Sequence, residues 1–125
     1  MLGRVTAALP KRGRADLAGQ TVYFSAPEHP HYDAMVKLLP DFTRETGIKV
    51  ELARETLTRI KQRQLVELAK PQSGFDLVSY VVTWKSEYVK KGLIQPLAPL
   101  FANPRLADPR YDMADLVPSY LQNIG

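Results

Sequence analysis

A chain of 125 residues is the size of one domain or a piece of one, which excludes a large multidomain assembly. With 45% apolar and 24% charged residues it has the composition of an ordinary soluble globular domain, and no apolar run reaches the roughly 18 to 20 residues that a membrane-crossing helix needs. The net charge of +4 is uneven, being +3 over residues 1–19 and +1 over 20–125, and in the body Lys and Arg alternate with Glu and Asp, a pattern that argues against a nucleic-acid partner.

Residues 1–19 mix Gly, Pro, Ala and basic side chains without periodicity and are expected to form a flexible basic extension. The stretch from Leu2 to Leu9 is no convincing export signal, because Arg4 interrupts it, Pro10 ends it and Lys11, Arg12 and Arg14 follow. The expectation is that a true start or leader lies outside this chain, or that the protein stays in the cytoplasm. Cysteine is absent, so disulfides, thiolate chemistry and Cys-based metal sites are excluded.

Order is expected from about Gln20. Thr21, Val22, Tyr23 and Phe24 are β-branched and aromatic and predict a first strand, stopped by Ser25, Ala26 and Pro27. Tyr32, Met35, Val36, Leu39 and Phe42 then recur at helical spacing, with Pro30 suited to the first turn. Pro40 should kink that helix or restart it, and Gly47 should end it. Residues 48–52 (IKVEL) alternate apolar and charged, the period of a strand with one covered face. Thr56 can cap a second helix, in which Leu57, Ile60, Leu65 and Leu68 keep near-helical spacing until Pro71 and Gly74.

Residues 75–82 (FDLVSYVV) form a nearly continuous apolar run, the expectation for an interior parallel strand covered on both faces. Trp84, Tyr88 and Val89 mark a short helix closed by Lys90, Lys91 and Gly92. Five prolines between Pro96 and Pro118 predict surface loop with short helical turns at most, and a further helix can begin in 117–124. The order strand, helix, strand, helix, strand predicts an α/β unit of three layers, with a small, mainly parallel sheet between helices.

Ligands of such sheets collect beyond the carboxyl ends of the strands, which selects the loops at 25–32, 54–56 and 83–84. Their side chains suit a small polar solute. Ser25, Glu28, His29 and Thr83 offer hydrogen bonds, while Tyr32 and Trp84 offer stacking faces. Trp84 serves equally well as a core plug between helix and sheet. Glu28, His29, His31 and Asp33 can be drawn as a metal site, but a polar loop and helix start is more often solvated or capping, and neither a metal nor a cofactor is expected. Glu28 and Glu55 can be imagined as an acid and base pair, although no spacing shows that they meet and no catalytic motif accompanies them. Lys37, Arg44, Glu45, Arg59, Lys61 and Arg63 are expected on solvated helix faces.

The segments "TVYFSAPEHPHYDAMVKLLPDFTRETGIKVELARET" and "FDLVSYVVTWKSEYVKKGLIQPLAPLF" resemble the start of the extracellular solute-binding proteins of family 1, which serve bacterial ABC importers. The most specific pieces are "DFTRETGIKVEL", "FDLVSY" and "WKSEYVKKGLIQPL", and the resemblance covers nearly all of residues 20–125. It implies a periplasmic-binding-protein-like fold of type II, in which two α/β lobes close on a solute such as a sugar. Of that fold, this chain would hold the N-terminal part of the first lobe, truncated. It also implies an ABC permease as partner, a periplasmic or extracellular location, and binding without catalysis.

Carried over to this chain, the resemblance points to a cleft built by Ser25, Glu28, His29 and Tyr32, by Arg54 and Glu55, and by Tyr80, Thr83 and Trp84. In one respect the chain departs from the pattern: many sugar-binding members carry Asp at the third strand exit, where Val81 stands here. Two other readings stand beside this one. In the first, a fragment binds nothing tightly and self-associates or domain-swaps through its open sheet edge. The other is a small cytoplasmic α/β enzyme.

Overall fold

The computed structural model describes residues 17–123. Most of the expected basic extension, residues 1–16, lies outside the described residues. The described chain divides into two compact units, one ending at Ile94 and one beginning at Gln95.

The first unit carries a three-stranded parallel sheet of order β2-β1-β3, made of β1 (Thr21–Pro27), β2 (Lys49–Glu55) and β3 (Leu77–Val78). The helix α1 (Pro30–Thr46) joins β1 to β2, and α2 (Leu57–Leu68) joins β2 to β3. The expected α/β class, with a parallel sheet and flanking helices, is what the chain adopts. β1 pairs with β2 in continuous register from Thr21↔Lys49 to Pro27↔Glu55, and the Glu28 N–H donates to the Glu55 carbonyl at 2.9 Å just beyond the strand.

Pleating explains how one central strand serves two helices, since successive side chains point to opposite faces. Phe24 packs edge-on against Tyr32 of α1, with ring centroids 6.3 Å apart, whereas Ser25 meets Gln64 of α2. The two helices therefore cover opposite faces. Ser25 and Ala26, adjacent in the chain, are both fully buried as a consequence. Ile48, Ile60, Phe75 and Tyr88 complete the apolar core, joined by the buried polar Thr46 and Gln64.

Local chemistry sets the helix ends. Pro30 occupies the first turn of α1, where its missing N–H leaves no bond unmade, and Gly47 ends the helix with a φ of 72° while its N–H donates to the Thr43 carbonyl at 2.8 Å. Pro40 does not restart the helix, which runs unbroken from Pro30 to Thr46. Thr56 stands at the N-cap of α2 as expected, yet its side chain makes no capping hydrogen bond. Residues 17–19 form a turn in which the Gly19 N–H donates to the Gly47 carbonyl at 2.8 Å.

The third strand corrects the sequence expectation. Residues 75–82 are not one interior strand: only Leu77 and Val78 join the ladder, through Phe24↔Leu77 and Ser25↔Val78. Among the described residues no strand pairs with the outer side of β3, and Leu77 is 46% exposed. After the Ser79 N–H donates to the Ser25 carbonyl at 2.8 Å, the chain leaves the sheet and tightens into a 3-10 turn, Val82–Trp84. An apolar run signals burial or an edge awaiting cover alike, so its length overstated the strand. The short helix α3 (Lys85–Lys90) follows.

In the second unit, α4 (Ala98–Ala102), a 3-10 turn (Met113–Asp115) and α5 (Pro118–Asn123) are connected by turns. The Asn103 side-chain oxygen accepts the Arg105 N–H at 3.0 Å, the Asp108 carboxylate pairs with Arg110, and Asp112 caps Ala114 at 3.1 Å. Phe101 stacks on Tyr111 at 5.5 Å.

Candidate functional site

The carboxyl ends of β1 and β2 open on a groove of about 660 Å³ lined by Glu28, His29, Pro30, Asp33, Leu52 and Arg54. Each part has a local cause. Pro27 ends β1, His29 takes an extended backbone as the N-cap of α1, and its Nδ1 accepts the His31 N–H at 3.4 Å. Asp33 lies in the first turn of α1, where an acid suits the partial positive charge of the helix end, and Arg54 reaches it from β2 as an ion pair.

Glu55, the next residue, points the other way. Its carboxylate accepts from Arg63 of α2 at 2.7 Å, and Arg63 also lies over the Phe75 ring at 5.2 Å. Thus Glu55 does not line the groove that holds Glu28, and the imagined pairing of those two carboxylates has no geometric basis here. Ser25 is fully buried, its hydroxyl accepting from Gln64 Nε2 at 3.0 Å.

A second group forms at the exit of β3. Tyr80 lies against Tyr88 with centroids 5.4 Å apart, and Trp84 stacks on the same ring at 6.3 Å. Lys61 of α2 places its ammonium 5.6 Å from the centre of the Trp84 ring and pairs with Glu87 at 2.9 Å. Hydrogen bonds from Lys91 and Lys61 hold the Glu87 carboxyl below the ordinary range. Burial pushes the Tyr88 phenol up to about 12. Thr83 is exposed beside this cluster.

Tyr32 connects the two groups, its hydroxyl meeting the Ser79 hydroxyl just past the end of β3. This contact lies at the β1/β3 junction, where the strand order 2-1-3 reverses direction, the place at which open α/β sheets bind ligands. Of the sequence-selected residues, Glu28, His29 and Arg54 therefore gather in the groove and Tyr32 stands at its flank. Tyr80 and Trp84 pack with Tyr88, whereas Ser25 and Glu55 are engaged by α2. Lys61 and Arg63 are not merely solvated, because each meets an aromatic ring.

Sequence reasoning did not single out Gln64 or Ser79. A signal for Gln64 was present: it stands four residues after Ile60 and four before Leu68, on the inward stripe of α2. A polar residue in that register implies a buried partner. Among the described residues, no group of three or more His, Asp or Glu is gathered to hold a metal ion.

The fold and rim define a parallel α/β unit with a polar groove at its strand exits. No family model matches the chain. No solved structure matches it either. It is similar to a probable amino-acid ABC transporter periplasmic-binding protein, y4oP, of Sinorhizobium fredii (strain NGR234), with 30% identity over 81 residues. That stretch is 65% of this chain and 18% of the Sinorhizobium protein, so the likeness is distant and partial. No helix among the described residues is long and apolar enough to cross a membrane.

Proposed function

We propose that this chain supplies part of the cleft of a solute-binding component of an ABC import system, and that its solute is a zwitterion of the amino-acid kind rather than a sugar. The observation that carries the reading is the groove in which Arg54 faces Asp33 and Glu28 at the start of α1. An amino acid brings one carboxylate and one ammonium a short distance apart. Arg54 presents a planar donor fork suited to the carboxylate, and the positive end of the α1 dipole favours the same charge. Glu28 and Asp33 supply acceptors for the ammonium.

A sugar fits less well. Val81 offers no carboxylate at the β3 exit, and Trp84 and Tyr80 already stack on Tyr88 while Lys61 lies over the Trp84 ring. The amino-acid designation of the Sinorhizobium relative agrees with this preference, and it supports a permease partner and a periplasmic location. Binding is tested by heteronuclear NMR of the chain titrated with amino acids, sugars and polyols at millimolar concentration. Shifts confined to residues 28–33 and 52–55 with amino acids support the proposal. Silence across the amino acids, or shifts with sugars alone, overturns it.

A second reading is self-association through the outer edge of β3. Leu77, 46% exposed on β3, motivates it. Light scattering that finds a monomer at every concentration removes this reading.

A further inference from the structure

A buried polar cluster lies beneath the exits of β1 and β3. Gln64 is fully buried on α2, and its side-chain amide is bonded in three directions. Nε2 donates to Ser25 Oγ at 3.0 Å and to the Ser79 carbonyl at 3.0 Å, while Oε1 accepts from the Tyr88 hydroxyl at 2.7 Å. A carbonyl oxygen only accepts, so the contact with Ser79 fixes which end of the amide carries the nitrogen. Tyr88 must then be the donor at the other end.

We infer that Gln64 is a positioning residue, whose amide locks the exits of β1 and β3 and the helix α3 into the relative placement that the ligand-binding rim requires. That it serves a ligand rests on the solute-binding function proposed above; the locking itself does not. Three features of the structure carry the inference. First, the partners come from three separate elements, at sequence distances of 39, 15 and 24 residues, and the two on the sheet lie near the carboxyl ends of their strands. Ser25 is two residues from the end of β1, Ser79 follows the last residue of β3, and Tyr88 is the ring on which Tyr80 and Trp84 lean.

Second, β3 is held over a short stretch, its side-chain restraints besides Gln64 being the Tyr32 hydroxyl on Ser79 and the Asp76 carboxylate that accepts the Tyr23 N–H at 2.9 Å. It joins the sheet only through Leu77 and Val78, flanked by the bonds Asp76 N–H to Tyr23 carbonyl at 2.9 Å and Ser79 N–H to Ser25 carbonyl at 2.8 Å. Third, the position lies on an apolar stripe between Ile60 and Leu68, where Leu or Met would fill the space without desolvating an amide. Apolar packing has no direction, whereas three satisfied hydrogen bonds in a dry interior define one arrangement.

The test reads amide hydrogen exchange at two rungs of the same sheet. Ser79 bonds to Ser25 at the rim, and Lys49 bonds to Gln20 at the opposite end. In the Gln64→Leu chain, exchange at Ser79 is expected to accelerate about tenfold relative to Lys49, the loss of roughly one buried hydrogen bond. Equal acceleration at both rungs, or none, means a general packing role and overturns the inference. Gln64→Glu adds a reversible form. Once ionised, its carboxylate has no proton to give the Ser79 carbonyl, so the Ser79 to Lys49 ratio should rise as base ionises the group, which burial holds above the ordinary carboxyl range, and fall toward the wild-type value as acid restores a donor. A ratio that ignores pH overturns the proposal.

Should Gln64→Leu fail to fold, Tyr88→Phe keeps the ring and leaves Oε1 without its donor, and a severalfold rise in the same ratio is expected, with no change counting against. Amino-acid titration of the wild type is run in parallel. If no amino acid binds, the solute assignment fails while the exchange ratios still decide the positioning role.

Discussion

Gly47 ends α1 with a φ of 72°, and a Cβ built there would lie 2.8 Å from the Ala18 Cβ. Both the left-handed backbone and the close approach of the preceding turn require glycine. Gly47→Ala should therefore lower stability by about 2 kcal/mol, the left-handed penalty of roughly 1 to 2 kcal/mol plus crowding, as read by urea unfolding. Tyr88 makes a prediction of a different kind. Its phenol is neutral in the folded chain up to about pH 12 but ionises near 10 once exposed. Its contribution is complete below pH 10 and is lost as pH rises from 10 through about 12, because the unfolded chain releases the proton first. The stability difference between wild type and Tyr88→Phe should shrink across that window, and comparing the two chains cancels the titration of the lysines.

Within single elements, α1 holds an interior proline that its register does not need. Pro40 is exposed, so its ring fills no space in the core, yet it removes one helical hydrogen bond and crowds the preceding turn. Pro40→Ala is expected to stabilise the chain by about 2 kcal/mol, the interior-proline penalty of roughly 3 kcal/mol less the entropy regained by the unfolded chain, with thermal melting as the readout. That helix, β2 and α2 were legible in the sequence because one covered face imposes a period of 3.6 or 2, as Lys49 and Glu51 outside and Val50 and Leu52 half-buried show. The end of β3 was not legible. Val81 and Val82 read as strand because an apolar run reports only the expected cover, and the pairing partner that decides strand length is not a local property. The candidate site was legible as three strand exits, but which side of the sheet each residue faces was not: Arg54 and Glu55 are adjacent, yet one reaches α1 and the other α2. Gln64 escaped notice because amphipathic reading counts apolar positions and passes over a polar one in their register.

Across the molecule, the two units differ in how their backbone is held. The fully and nearly buried residues, from Ser25 to Tyr88, all belong to the unit that ends at Ile94. In the unit from Gln95 onward, helices of five and six residues alternate with turns, and Leu97, Leu106, Val117 and Tyr120 are each more than half exposed. Helices that short do not persist by their own hydrogen bonds, since nucleation is unfavourable and only packing sustains a few turns. Local opening should therefore occur there at lower free energy than in the sheet, whose β1 and β2 share an unbroken ladder over seven residues each. Limited trypsin digestion tests the difference, because both units carry exposed basic side chains. Arg105 is in a turn where the Leu106 N–H bonds to the Asn103 carbonyl at 2.9 Å, and Arg110 lies in the following turn. Within residues 17–123, mass spectrometry of early time points should find the first cuts after Arg105 and Arg110, with Arg54, Arg59 and Arg63 protected until the sheet unfolds. A first cut inside β2 or α2 would mean that the sheet opens as readily as the proline-rich segment, and the ranking of the two units would be reversed.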